Sequence, residues 1–339
     1  MQAFWDPVQR RHAPRFFLQR GHVRPNLETP VRADSLLDGL ATLGIAPQQP
    51  PPVDLPALLA VHEAAYLDFL AVAPAEWAAM DDAGPELVPN VHPSPEMLAQ
   101  GATPGGLVGR LGWYTADTSC PIGPATWPAA RAAAACAIAA ADAVMGGGVA
   151  YALARPPGHH AYPARAGGHC YLNNTAIAAA RLHARGAARV GVLDIDAHHG
   201  NGTQGVFWTR DDVRTASVHG DPAGYYPWYV GHAGEQGAGA GLGANLNLPL
   251  PRGTGDGPWL DAIVHALDWL GDVDALVLAL GFDASVDEPL AFLRISDDGF
   301  ARAASFVAAR RLPTAVVQEG GYNTATLGPL LARTLGAFG

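Results

Sequence analysis

The chain has 339 residues, 49% of them hydrophobic, which is enough to bury a large core in one big α/β domain or two smaller ones. All 21 basic residues are arginine and the net charge is −10, so nucleic acid is a poor partner and lysine chemistry is excluded. No run is long and apolar enough for a transmembrane helix, no signal-peptide pattern opens the chain, and the scattered Cys120, Cys136 and Cys170 fit a reducing cytoplasm with no membrane partner.

Residues 1–30 are rich in aromatics and arginine and show no clear period. Helical patterning runs from Arg32 to Leu43 and stops at Gly44, with Pro47 beyond. Gln48–Pro52 reads as a proline-rich connector, and Leu55–Phe69 as a helix. Between Asp81 and Gly112, Pro85, Pro89, Pro93, Pro95 and Pro104 predict a long insertion loop of the functional or disordered kind. The alanine-rich run Trp127–Met145 predicts a helix.

From there strands and helices alternate. Strands are expected at Gly148–Ala154, Arg189–Ile195, Thr215–Val218, Ala275–Leu280 and Thr314–Gln318. Helices are expected at Asn174–Arg185, Trp259–Leu270 and Asp297–Arg310. Apolar strands alternating with helices imply an open parallel sheet covered on both faces. No linker interrupts the pattern, so residues 1–339 read as a single α/β domain carrying an insertion at about 81–112.

Four strands end in chemistry. Gly148–Ala154 leads into Arg155-Pro156-Pro157-Gly158-His159-His160, and Arg189–Ile195 into Asp196-Ala197-His198-His199-Gly200-Asn201-Gly202. Ala275–Leu280 leads into Gly281-Phe282-Asp283, and Thr314–Gln318 into Glu319-Gly320-Gly321-Tyr322. Ligands of open α/β sheets bind outside the carboxyl ends of the strands, so these segments meet at one edge. Alternation along a strand puts Asp194, Asp196 and His198 on one side and turns His199 away as a structural residue.

Asp196 and His198 supply two metal ligands, and Asp283 is the best-placed third. Three protein ligands leave positions open for water and substrate, as a catalytic site requires. Such a metal polarises a carbonyl and lowers the pKa of water to about 7. Zinc and iron(II) both suit these donors. One of His159 and His160 can serve as general base, the other as an acid or electrostatic catalyst. Asp194 would raise the basicity of one ring, while Asn201 would orient the other and leave it less basic. The Tyr322 phenol can donate to an oxyanion. His12, His62, His183 and His265 belong to no constellation and are expected on surfaces or helix faces.

Together with Gly168-His169-Cys170-Tyr171-Leu172-Asn173-Asn174, these pieces resemble the arginase-fold deacetylase group: histone deacetylases and, more closely, bacterial acetylpolyamine amidohydrolases. The resemblance implies zinc on Asp196, His198 and Asp283, catalysis by His159, His160 and Tyr322, and a structural potassium near Asp194, Asp196, His198, Ser217 and Val218. It implies Gly168, His169, Tyr226 and Leu290 along an acyl tunnel, with Asp117 facing the distal ammonium of a small acetylated amine. It also implies a homodimer built through the insertion, whose Pro89–Met97 stretch resembles the polyamine subgroup's loop. His169 stands where Phe or Tyr is expected, and Asp117 where glutamate is expected. Deacylation of acyl-lysine in proteins is the alternative activity. A dinuclear ureohydrolase is disfavoured because Gly200, Ala284 and Ser285 withhold the second metal's carboxylates. A catalytically dead binding protein is disfavoured by the complete set of ligands, histidines and tyrosine.

Overall fold

The computed structural model describes all 339 residues. In chain order the strands are β1 (Gln2–Phe4), β2 (Phe16–Gln19), β3 (His22–Pro25), β4 (Val149–Ala152), β5 (Val190–Asp194), β6 (Val213–Gly220), β7 (Asn245–Leu250), β8 (Ala275–Leu280) and β9 (Thr314–Gln318). The helices are α1 (Val31–Thr42), α2 (Leu55–Leu59), α3 (Ala64–Ala78), α4 (Pro95–Ala99), α5 (Gly106–Tyr114), α6 (Thr126–Ala143), α7 (Asn174–Ala184), α8 (Asn201–Phe207), α9 (Asp256–Leu270), α10 (Asp297–Ala309) and α11 (Leu327–Gly336). Seven strands form one parallel sheet in the order β1-β4-β9-β8-β5-β6-β7, and β2 and β3 form a separate antiparallel hairpin. No helix is long and apolar enough to cross a membrane.

The central strands show why the sheet is covered twice. Along β8, Ala275 and Val277 enter the core beneath α3, α6 and α7, while Leu276, Leu278 and Leu280 enter the core beneath α1, α9, α10 and α11. β9 divides in the same way, Ala315 and Val317 against Val316. An uninterrupted apolar run is what a strand buried on both faces requires. β5 pairs with β6 on one side and with β8, much later in the chain, on the other. Its carboxyl end is therefore a point where the strand order reverses, and a crevice opens there.

Several expectations change. The insertion is not structureless: α4 and α5 form within it, and Ser94 caps α4 by accepting from the Met97 amide at 3.3 Å. The expected helix at 55–69 divides into α2 and α3, and α3 continues to Ala78. The break has a tertiary cause. His62 lies in it, with Nδ1 donating to the Pro163 carbonyl at 3.2 Å and Nε2 accepting from the Asn173 amide at 2.9 Å. His12 and His62 are buried, at 2% and 3% exposure, against the expectation that they lie outside; His183 and His265 are exposed as expected.

Burial pushes His62 from 6.5 down to about 4. The unfolded chain thus binds a proton in this window that the fold refuses, and stability falls as pH drops from 6.5 towards 4. His12, pushed to about 4 chiefly by burial, acts in the same direction. We expect Tm to decline through this window and His62→Gln, which keeps one donor and one acceptor, to flatten the decline. An unchanged slope in that variant would contradict the assignment.

Candidate metal centre and histidine pair

The loops after β4, β5, β8 and β9 meet at the reversal point. Asp196, His198 and Asp283 bring their donor atoms within 4.8 Å of one another. His198 Nδ1 lies 2.9 Å from Asp283 Oδ2 and 3.2 Å from Asp196 Oδ1. The remaining carboxylate oxygens are fixed by backbone donors: Gly320 N at 2.9 Å on Asp196 Oδ2, and Ala197 N at 2.9 Å on Asp283 Oδ1. The His198 ring stacks on Tyr225 with centroids 4.4 Å apart.

Burial and the neighbouring Asp196 charge push the Asp283 carboxyl up, while the carboxylates, led by Asp283, outweigh burial and push His198 up to about 9. Two buried carboxylates around one imidazole nitrogen call for a positive centre. The donor set of two oxygens and one nitrogen suits a divalent metal. At Gly320 a Cβ would run into both carboxylates, so the backbone can approach this closely only without a side chain. At Gly200 a Cβ would meet the Asp194 carboxylate, which leaves no room for a second-metal ligand there.

His159 and His160 lie beside this cluster with ring centroids 4.0 Å apart and their planes tilted by 43°. His159 Nδ1 lies 2.9 Å from Asp194 Oδ2, and His160 Nδ1 lies 2.6 Å from Asn201 Oδ1. The two rings are driven apart in basicity. Burial opposes charge on His159, but Asp194, Asp196 and Glu319 outweigh it and hold the ring well above its ordinary value. His160 is pushed well below its ordinary value by burial and by the neighbouring charges of His159 and His198. One ring is thus kept cationic and the other neutral, the division that Asp194 and Asn201 predict.

Tyr322 closes the ring of chemistry. Its phenol oxygen makes no hydrogen bond to the protein, while its backbone is held firmly. The amides of Tyr322 and Asn323 donate to the Glu288 carboxylate at 2.8 and 2.9 Å. Arg32 donates to the carbonyls of Gly321 and Glu319 at 2.5 and 2.6 Å and lies over the tyrosine ring at 4.8 Å.

Glu319, Glu288, Arg32, Glu28 and Arg155 are supporting residues that sequence reasoning did not single out. Glu319 accepts from the amides of Gly158 and His159 at 2.6 and 3.0 Å and from the Thr175 hydroxyl at 2.6 Å, so it positions the histidine loop. Glu28 bridges Arg32 at 2.7 Å and Arg155 at 2.9 Å, all three fully buried. Glu319 and Arg155 belong to recognised motifs, and that was the available signal. Nothing local marks Glu28 or Arg32.

The residues expected on the substrate side divide. Tyr226 packs edge-on to His160 at 4.8 Å, and His169 lies 5.9 Å from the Tyr322 ring, its own backbone left-handed at φ 67°. Gly168 sits where a Cβ would press on the His160 and Tyr226 rings. Leu290 enters through its carbonyl, which accepts from the Tyr225 hydroxyl at 3.1 Å. Asp117 is at the site but already engaged: Oδ2 accepts from Tyr226 at 2.6 Å and Gly168 N at 3.1 Å, and Oδ1 from Ser119 N at 2.7 Å. It ties Tyr226 to the Gly168 turn, a role its sequence position did not suggest. Ser217 pairs in register with Asp194 across β5 and β6, with Val218 next to it. His199 points away as expected, packing on His219 at 4.6 Å.

A sheet-edge cluster of two aspartates and a histidine, beside a histidine pair of opposed basicity and an unpartnered phenol, defines an amidohydrolase of the deacetylase class. The chain belongs to the histone deacetylase domain family, which matches residues 26–337. It is 43% identical to the acetylpolyamine amidohydrolase of Burkholderia pseudomallei (strain 1710b), covering 100% of this chain and 99% of that one. It is 37% identical to the acetylpolyamine amidohydrolase of Mycoplana ramosa over 94% of each chain. The crystal structure of the acetylpolyamine aminohydrolase from Burkholderia pseudomallei superposes with a TM-score of 0.96, at 43% identity, over 100% of this chain and 98% of that one.

Proposed function

We propose that the chain hydrolyses the acetyl-amide of small cationic amines, acetylated polyamines above all, at a single divalent metal held by Asp196, His198 and Asp283. The observation that carries this reading is the convergence of those three donors with a neutral His160, a cationic His159 and a free Tyr322 hydroxyl. The names of its relatives support the substrate class. Zinc is the metal we assign, and iron(II) suits the same donors. When bound, the metal supplies Lewis acidity to the amide carbonyl and makes water acidic enough to attack near neutral pH.

The chain's own groups do the rest. His160 donates from Nδ1 to Asn201, so Nε2 carries a lone pair and takes the proton of the attacking water. That proton then passes to the leaving amine. His159, kept charged by Asp194, lowers the energy of negative charge developing nearby. Tyr322 donates its hydroxyl to the carbonyl oxygen as it becomes negative, and Arg32 and Glu288 keep its backbone from shifting. Oxygens of Asp194, Asp196, His198, Ser217 and Val218 are assigned to a structural potassium. A homodimer through the insertion is supported by its exposed Val91, Met97 and Leu98, at 50%, 48% and 43% exposure. Three unpaired, buried thiols fit a reducing cytoplasm.

A kinetic panel tests the substrate class. We expect acetylated putrescine, cadaverine and spermidine to give higher kcat/KM than acetyl-lysine peptides. Equal or better turnover of the peptides would assign the chain to protein deacylation instead.

A further inference from the structure

A metal-ligating histidine is ordinarily oriented by a hydrogen bond from the ring nitrogen that faces away from the metal. His198 has no such bond to the chain. Its Nδ1 faces the two carboxylates, 2.9 Å from Asp283 Oδ2 and 3.2 Å from Asp196 Oδ1, while Nε2 makes no hydrogen bond to any protein group. His160 and Tyr226 meet the ring only edge-on, at centroid distances of 5.8 and 6.0 Å. What lies flat against it is Tyr225, 4.4 Å away with the planes 14° apart.

Tyr225 is itself held from behind. Its hydroxyl donates to the Leu290 carbonyl at 3.1 Å, and Phe292 stacks on it at 4.5 Å with the planes 30° apart. Two rings packed that closely cannot share one face of a third, so Phe292 backs the face opposite His198. The exposed Arg252 lies over Phe292 at 4.3 Å and closes the stack. Gly220 makes the packing possible, because a Cβ there would come within 2.5 Å of Phe292 and 3.0 Å of Tyr225. Tyr225 and Phe292 are buried, so tilting either ring would forfeit close contacts on both sides.

We propose that Tyr225, backed by Phe292, is the positioning residue that holds His198 in its metal-binding orientation, and that this stack sets how tightly the divalent metal is retained. The inference rests on the metal reading above and gives a role to two side chains that supply no donor atom. The stack does the work of the missing hydrogen bond at Nε2. A ligand already held in place loses less freedom when the metal binds, so affinity rises without a further donor.

Competition for zinc against a chromophoric chelator tests this. Tyr225→Leu should weaken zinc binding by about 10- to 100-fold, the range for a group that orients a metal ligand. Tyr225→Phe keeps the ring and loses only the bond to Leu290, so its affinity should stay within about threefold of the wild type. Phe292→Leu, which removes only the backing ring, should weaken binding by about fivefold, and it carries the test if Tyr225→Leu does not fold. Cobalt(II) gives a second readout. Its visible absorption bands, which report ligand geometry, should move in Tyr225→Leu and coincide with the wild type in Tyr225→Phe. Zinc affinity unchanged in Tyr225→Leu and Phe292→Leu overturns the inference. So does a loss in Tyr225→Phe as large as in Tyr225→Leu, which would place the effect in the hydroxyl. Neither measurement involves substrate. Unchanged affinities in a protein that hydrolyses N-acetylputrescine defeat this inference alone, whereas a wild type that binds no divalent metal defeats the metal reading with it.

Discussion

Replacing Tyr322 by phenylalanine is expected to lower kcat for acetyl-amide hydrolysis by about 10²- to 10³-fold, with KM and Tm little changed. The size follows from what the hydroxyl does. It is unpartnered in the fold, so removing it breaks no internal hydrogen bond. The ring stays in place because Arg32 lies over it at 4.8 Å and Glu288 holds its amide at 2.8 Å. What is lost is a preorganised donor to charge that develops only in the transition state, which appears in kcat rather than in substrate binding. A loss below about tenfold would remove Tyr322 from the chemistry, and a large fall in Tm would mean that the hydroxyl is structural.

The second large effect falls on stability. Glu28→Ala is expected to cost about 3–5 kcal/mol in denaturant unfolding, because it leaves the Arg32 and Arg155 guanidiniums buried without their shared counter-charge. Glu28 is fully buried, and the charges of Arg155 and Arg32 outweigh its burial and hold its carboxyl below the usual range. The Arg10–Asp34 pair provides the contrast. With side chains 45% and 51% exposed, breaking it should cost about 1 kcal/mol or less. The loss at Glu28 should also reach the site, since Arg32 would release the Gly321 and Glu319 carbonyls that shape the loop before Tyr322. A cost no larger than that of the exposed pair would contradict a buried, interdependent triad.

Sequence alone made the catalytic edge legible because its residues follow apolar strands directly. Asp196, His198 and Asp283 are separated by at most three residues from β5 or β8, and strand periodicity carries that far. The meeting of Asp283 with Asp196 depends on the β5–β8 pairing, which bridges distant parts of the chain. What the sequence hid depends on contacts with no local pattern. The hairpin at 16–25, the helices inside the insertion and the break at His62 are stabilised by tertiary bonds, such as Asn26 Nδ2 to the Phe16 carbonyl at 3.1 Å and His62 to Pro163. Asp117 shows the same limit. Its place near the histidine pair followed from the family resemblance, but the engagement of both its oxygens by Tyr226, Gly168 and Ser119 could not be read.

Acetate release measured against bound zinc, in the wild type and in Asp283→Ala, decides whether this centre hydrolyses amides. With N-acetylputrescine as substrate, the rate of the wild type should rise in proportion to zinc bound and level off at one ion per chain. Asp283→Ala should bind zinc weakly and release no acetate at the same added metal. A rate independent of bound zinc, or full activity in Asp283→Ala, would place the chemistry elsewhere in the molecule.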